Sequence, residues 1–147
     1  MKKIYLDFDN VIGNLINENE ILLFDNKIID FIIKIKDSYE INIILKGDEI
    51  KLNKEKKWIL NNIPWYAQHF NFIENVLEID SNKEDFSVQI DALYDNCHEN
   101  MTLKIIKIPE KFIDEGAINQ ECFIVKDFDE ILTILMFFEK YDFSTLN

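Results

Sequence analysis

The tightest constraint on this chain lies in one short stretch near its start, Lys3-Ile4-Tyr5-Leu6-Asp7-Phe8-Asp9-Asn10-Val11-Ile12. An apolar run rises to Leu6 and then meets two carboxylates spaced one residue apart. The run has the composition of a buried strand. Asp7 and Asp9 do not belong in its interior, because an unpaired buried carboxylate is expensive. Acidic residues at the carboxyl end of a first strand sit where open α/β sheets place their ligands. The plainer reading, a strand followed by an acidic turn, has to be weighed against the rest of the chain.

Further along, strand and helix patterns alternate. Gly13 to Glu20 is a turn that leads into a small hairpin through Ile21-Leu22-Leu23-Phe24. Ile28, Ile29, Phe31, Ile32, Ile33 and Ile35, with Lys27, Asp30, Lys34 and Lys36 opposite, predict a helix packed on a sheet. Ile41 to Leu45 reads as a second strand that ends at Lys46-Gly47-Asp48. A charged helix follows from about Lys51 to Asn62 and is stopped by Pro64. Asn75 to Ile79 reads as a third strand, Glu84 to Gln89 as a short helix or turn, and Ala92-Leu93-Tyr94 as a fourth strand ending at Asp95-Asn96. Leu103 to Ile108 and Cys122 to Val125 supply two more. A last helix over about Asp129 to Tyr141, capped by Asp127 or Asp129, turns Ile131, Leu132, Leu135, Met136 and Phe138 inward. This alternation predicts an α/β, doubly wound fold with a central parallel sheet flanked by helices, in one domain spanning 1–147.

Composition narrows the partners. The chain has 147 residues, 48% of them hydrophobic, enough for one real core. A net charge of -12 argues against a nucleic-acid polymer or a membrane surface as partner. A small phosphorylated substrate is compatible with that charge if a metal or local lysines offset it. Cys97 and Cys122 are too far apart in sequence for a zinc motif, and read as reduced thiols. Met-Lys-Lys ahead of an acid-bearing strand does not read as a signal peptide, and no apolar run has the length of a membrane span, so the expected compartment is the cytoplasm.

In a doubly wound sheet the carboxyl ends of the strands share one edge. Asp7 and Asp9, Lys46, Lys83 and Asp95-Asn96 would then converge on one crevice. Carboxylates with lysines beside them are what Mg²⁺-assisted phosphoryl transfer needs, since Mg²⁺ takes oxygen ligands and keeps several waters.

Asp7-Phe8-Asp9-Asn10-Val11-Ile12 resembles the first motif of the haloacid dehalogenase (HAD) superfamily. Asp91-Ala92-Leu93-Tyr94-Asp95-Asn96-Cys97-His98-Glu99-Asn100 resembles its fourth motif. The loop before that, with Lys83, and the helix around Lys54-Glu55-Lys56-Lys57-Trp58-Ile59 are similar to those of the small 5'(3')-deoxyribonucleotidase-like phosphatases. The resemblance implies a HAD-like Rossmannoid fold with a squiggle and flap hairpin at 11–26 and a minimal or absent cap. It implies an Mg²⁺-dependent phosphohydrolase acting on a phosphomonoester, such as a 5'-nucleotide, through an aspartyl-phosphate. Asp7 would be the nucleophile, Asp9 the general acid and base, and Lys83 the partner of Asp7 and the phosphate. Asp7, Asp9 (through its carbonyl), Asp95 and Asn96 would form the metal set. Lys46, Gly47 and Asn10 would form the substrate-binding set.

Three departures from the family pattern stand out. Lys46 occupies the place of a Thr or Ser, Asn96 that of a second Asp, and only about thirty residues separate the first motif from the second strand, too few for a large cap. A homodimer in which the partner covers the open site suits that last departure. The alternative reading is a catalytically impaired HAD-fold binding protein with Lys46 across its site. A phosphoacceptor receiver domain fits less well, because it carries adjacent acids after its first strand, whereas Asp7 and Asp9 alternate.

Overall fold

The computed structural model describes residues 2–17, 20–23, 27–63, 69–74, 86–92, 101–107 and 122–139. In chain order the elements are β1 (Lys2–Asp7), β2 (Gly13–Leu15), β3 (Ile21–Leu23), α1 (Lys27–Ile35), β4 (Tyr39–Ile44), α2 (Glu49–Asn62), β5 (Asn71–Ile73), β6 (Ser87–Ala92), β7 (Met101–Lys107), β8 (Cys122–Val125) and α3 (Phe128–Glu139). Six strands form one sheet in the order β5-β4-β1-β6-β7-β8, and β2 pairs with β3 as a separate hairpin. No helix among the described residues is long and apolar enough to cross a membrane.

β1 lies inside the sheet, parallel to β4 on one side and β6 on the other. Its run Ile4-Tyr5-Leu6 is buried, as a strand covered on both faces requires. β5 extends the parallel half beyond β4. The other half departs from the expected parallel sheet, because β7 pairs antiparallel with β6, and β8 antiparallel with β7. Chain length explains the first reversal. Only residues 93–100 join β6 to β7, and a parallel return needs about a dozen residues or more. The sheet is therefore mixed.

One assignment shifts. Residues 87–89 belong to β6 and not to a helix or turn. Ser87-Val88-Gln89-Ile90-Asp91-Ala92 alternates polar and apolar with period two, and Val88 and Ile90 are buried. The neighbour of β4 is β5 at Asn71–Ile73, a strand the sequence did not announce; the third strand expected at 75–79 lies outside the described residues.

The helices follow their apolar spacing. α1 buries Ile28, Phe31, Ile32 and Ile35, a single stripe at helical period. α3 begins on Asp127, whose Oδ1 accepts from the Glu130 backbone N–H at 2.8 Å, while Glu130 Oε2 accepts from the Lys126 N–H at 2.9 Å. It buries Ile131, Leu135 and Phe138, whereas Met136 is exposed, contrary to expectation. One residue past Leu135, Met136 is turned about 100° away from the buried stripe. Phe31 of α1 and Phe128 of α3 stack with centroids 4.9 Å apart. One hydrophobic cluster joins these faces to β1, β4, β6, β7 and β8.

α2 is different. Asp48 caps it, accepting from the Lys51 N–H at 2.9 Å. Its buried positions are Leu52, Glu55 and Ile59, so a carboxylate occupies the middle of its inward stripe.

Candidate functional site

The site is built where β1 ends. The Phe8 carbonyl accepts from the N–H groups of Val11, Ile12 and Gly13 at 3.3, 2.9 and 3.1 Å, which winds residues 8–13 into one tight turn. Asn10 takes the left-handed conformation at φ 63°, which Asn tolerates better than most residues. Asn14 locks it by accepting from the Asn10 N–H at 3.2 Å and donating to Asn10 Oδ1 at 3.0 Å. Phe8, Val11 and Ile12 are buried, so the turn is anchored by its apolar residues and delivers Asp7 and Asp9 beside one another.

Register decides what faces Asp7. Tyr5 pairs with Asn42 on β4 and with Gln89 on β6. Two residues on, by the period of a strand, Asp7 emerges on the same face beside Asp91. Asp7 Oδ1 accepts from Gln89 Nε2 at 3.0 Å, and Oδ2 accepts from Lys46 Nζ at 3.0 Å. The Asp91 carboxyl is also in hydrogen-bond contact with Asp7. Burial, followed by the hydrogen bond and charge of Asp91, pushes Asp7 up to about 6, against the pull of Gln89 and Lys46.

Asp9 has a separate partner. Lys51 Nζ donates to its two oxygens at 2.9 and 2.7 Å, and also to the Lys46 carbonyl. The same ammonium stands 3.2 Å from Glu55 Oε1. That is an ion pair without hydrogen-bond alignment, and among the described residues neither Glu55 oxygen accepts a hydrogen bond. Glu55 is fully buried; burial first and the Asp9 charge second push its carboxyl up to about 7, with Lys51 opposing. Burial pulls the Lys51 ammonium down, but Asp9 and Glu55 outweigh it and hold it above the usual lysine value.

Gly47 makes the Lys51 bridge sterically feasible. It has φ 130°, and a Cβ there would lie 2.7 Å from Lys51 Cδ. Gly47→Ala is expected to cost roughly 1–2 kcal/mol through backbone strain and to push the Lys51 stem off Asp9. Chemical denaturation and a crystal structure of the variant would check both, and an unmoved Lys51 would refute the steric account.

Asp7, Asp9, Asn10, Lys46 and Gly47 thus gather at one edge of the sheet. Asn10 is engaged with Asn14 there. Lys83, Asp95 and Asn96 lie outside the described residues. Sequence reasoning missed Gln89, Asp91, Lys51 and Glu55. The alternation of Ser87–Ala92 was the available signal for the first two. For Glu55 it was the spacing three after Leu52 and four before Ile59.

Two carboxylates in contact, Asp7 and Asp91, are hard oxygen donors whose mutual repulsion a divalent cation would relieve, and this donor set fits Mg²⁺. Among the described residues no group of three or more His, Cys, Asp or Glu side chains surrounds a common point. Mg²⁺ bound by one or two carboxylates completes its shell with water.

No protein-family model, curated protein or solved structure matches this chain.

Proposed function

We propose that the chain is an Mg²⁺-dependent phosphohydrolase of the HAD type, with a HAD-like Rossmannoid fold, acting on a small phosphomonoester through an aspartyl-phosphate on Asp7. The observation that carries this reading is the setting of Asp7: a buried carboxylate at the end of an inner strand, with an amide on one oxygen, an ammonium on the other and a second carboxylate alongside. A strand-end acid of this kind costs stability, and such costs concentrate at functional sites. The turn and hairpin directly after β1 agree with the squiggle and flap that the resemblance implies.

In this reading Asp7 attacks phosphorus, the bond to the leaving oxygen breaks, and water then displaces the phosphoryl group from Asp7. Lys46, more than half exposed, passes from Asp7 to the incoming phosphoryl oxygens and takes the role carried over for Lys83. Gln89 keeps the other Asp7 oxygen oriented. Asp9 accepts the proton of the attacking water. Both Asp9 oxygens accept from Lys51, so handing a proton to a leaving oxygen requires Lys51 to let go. Esters whose leaving group departs as a stable anion, aryl phosphates above all, suit this site best. Bound at Asp7 and Asp91, with Asp95 and Asn96 carried over from the resemblance, Mg²⁺ would neutralise charge on the transferring phosphoryl group.

The Lys46–Asp7 ion pair favours a second reading, a binding protein in which Lys46 fills the phosphate space. Incubation with aryl phosphates separates the two. The phosphatase reading expects Mg²⁺-dependent phosphate release and an acid-trapped phosphoenzyme whose added mass maps to Asp7. No release from a broad phosphomonoester panel, with release switched on by Lys46→Thr, would establish the second reading instead.

A further inference from the structure

Beside the turn that carries Asp7 and Asp9, a cavity of about 320 Å³ opens between the β2–β3 hairpin and α2. Leu15 and Ile21 line it from the hairpin, and Lys54, Lys57, Trp58 and Asn61 from the helix. Trp58 also meets Phe8, the residue between the two acids, edge to face with centroids 6.2 Å apart. The cavity therefore adjoins the turn that presents the acids.

The charges are the informative part. The chain carries a net -12, yet α2 alone holds Lys51, Lys54, Lys56 and Lys57. Lys51 is committed to Asp9 and Lys56 to Glu74. Among the described residues, Lys54 and Lys57 make neither an ion pair nor a hydrogen bond. Two ammonium groups that no acid neutralises among the described residues, beside an indole and in a strongly acidic protein, form a recess complementary to a flat ring with negative charge. The indole offers stacking area, and Asn61 offers an amide to a polar ring substituent.

We propose that this cavity is the leaving-group subsite of the candidate phosphohydrolase, and that it takes an aromatic ring bearing an anionic group besides the transferable phosphate. The assignment of a leaving group rests on the phosphatase reading. The helix sets the reach: Trp58 lies seven residues beyond Lys51, about 10 Å along the axis. Lys51 holds Asp9, the second acid of the turn, so the rise along α2 from that acid to the indole is of the order of a fused two-ring aryl group's length. Lys54 and Lys57 then meet a substituent at the far side of the ring. An aryl oxygen is also the leaving group that needs least help from Asp9.

The test uses 6-hydroxynaphthalene-2-sulfonate, which has the ring and the anion but no phosphoryl group, titrated by calorimetry into the full chain. Saturable binding is expected, weakened at least ~10-fold in the Lys54→Gln/Lys57→Gln double variant and weakened again by added salt, as a two-cation site requires. Circular dichroism confirms that the variant is folded. No binding at millimolar probe, or equal binding in the variant, overturns the subsite. In parallel, the 6-sulfonato-2-naphthyl phosphate ester is compared with phenyl phosphate as substrate. A higher kcat/KM for the sulfonated ester, lost in the double variant, supports the leaving-group role. Equal kcat/KM values would overturn that role while leaving the phosphatase reading standing. Lysine-dependent probe binding without hydrolysis of either ester would overturn the phosphatase reading and keep the aromatic-anion site.

Discussion

Asp7→Asn is expected to make the protein more stable at pH 8 while abolishing phosphate release. The Asp7 carboxyl is raised to about 6, with burial the largest cause and Asp91 next. The folded chain therefore holds this proton to higher pH than the unfolded chain, whose Asp titrates near 4. The stabilisation from the protonated form is fully present below about pH 4 and is lost as pH rises through about 6. Asn keeps the oxygen that Gln89 addresses and carries no charge at any pH. Its advantage over Asp should grow from near zero at pH 4 to about 2 kcal/mol at pH 8 in metal-free buffer. Urea melts of both proteins across that range measure it. In the same variant, hydrolysis should fall by a factor of about 10³ or more, because no nucleophile remains. In the parent protein, activity should climb as Asp7 ionises, with Mg²⁺ moving the rise to lower pH. A variant less stable than its parent at pH 8 would mean that the Lys46 contact outweighs burial.

Lys51→Met is expected to cost about 2–3 kcal/mol at pH 8. Lys51 is the only ammonium within ion-pair distance of Glu55 among the described residues, and it also clamps Asp9 and the Lys46 carbonyl. Removing it leaves a fully buried carboxylate without a counter-charge. The cost should shrink toward pH 5, because the Glu55 carboxyl, raised to about 7 by burial and by the Asp9 charge, is then protonated in both proteins. Adding Glu55→Leu should restore most of the loss, since position 55 lies between the buried Leu52 and Ile59 on the inward stripe of α2. The double-mutant cycle isolates the pair. If Lys51→Met costs the same at pH 5 and pH 8, Glu55 is not the group that Lys51 serves. Activity should remain low in the rescued double variant, because Asp9 has still lost the group that orients it.

Local pattern made much of this molecule readable. The apolar run ending in Asp7-Phe8-Asp9 specified β1 and its acidic end. The i, i+3, i+4, i+7 stripe of Ile28, Phe31, Ile32 and Ile35 specified α1, and Asp127 ahead of Glu130 marked the start of α3. Each of these signals lies within one or two turns of chain, where side-chain period and capping chemistry act. The mixed sheet was harder to read, because the direction of β7 depends on the connection after β6 being too short for a crossover, and because the polar residues of Glu84 to Gln89 read as a helix or turn although Ser87 to Gln89 open β6.

The surroundings of the two acids could be decided only by tertiary structure. Nothing near Asp7 in sequence indicates that Gln89 and Asp91 stand beside it, since that follows from parallel register between strands some eighty residues apart. Nothing in the Lys-rich helix marks Lys51 as the ammonium that reaches Asp9, and the spacing that puts Glu55 in line with Leu52 and Ile59 does not tell that Lys51 and Asp9 stand beside it. Burial is a property of what packs on a residue, and charge coupling is a property of distance through space. The sequence by itself determined that two carboxylates would stand at the end of an inner strand. The fold decided that Asp7 would share a proton-retaining contact with Asp91, and that Asp9 would be held by Lys51.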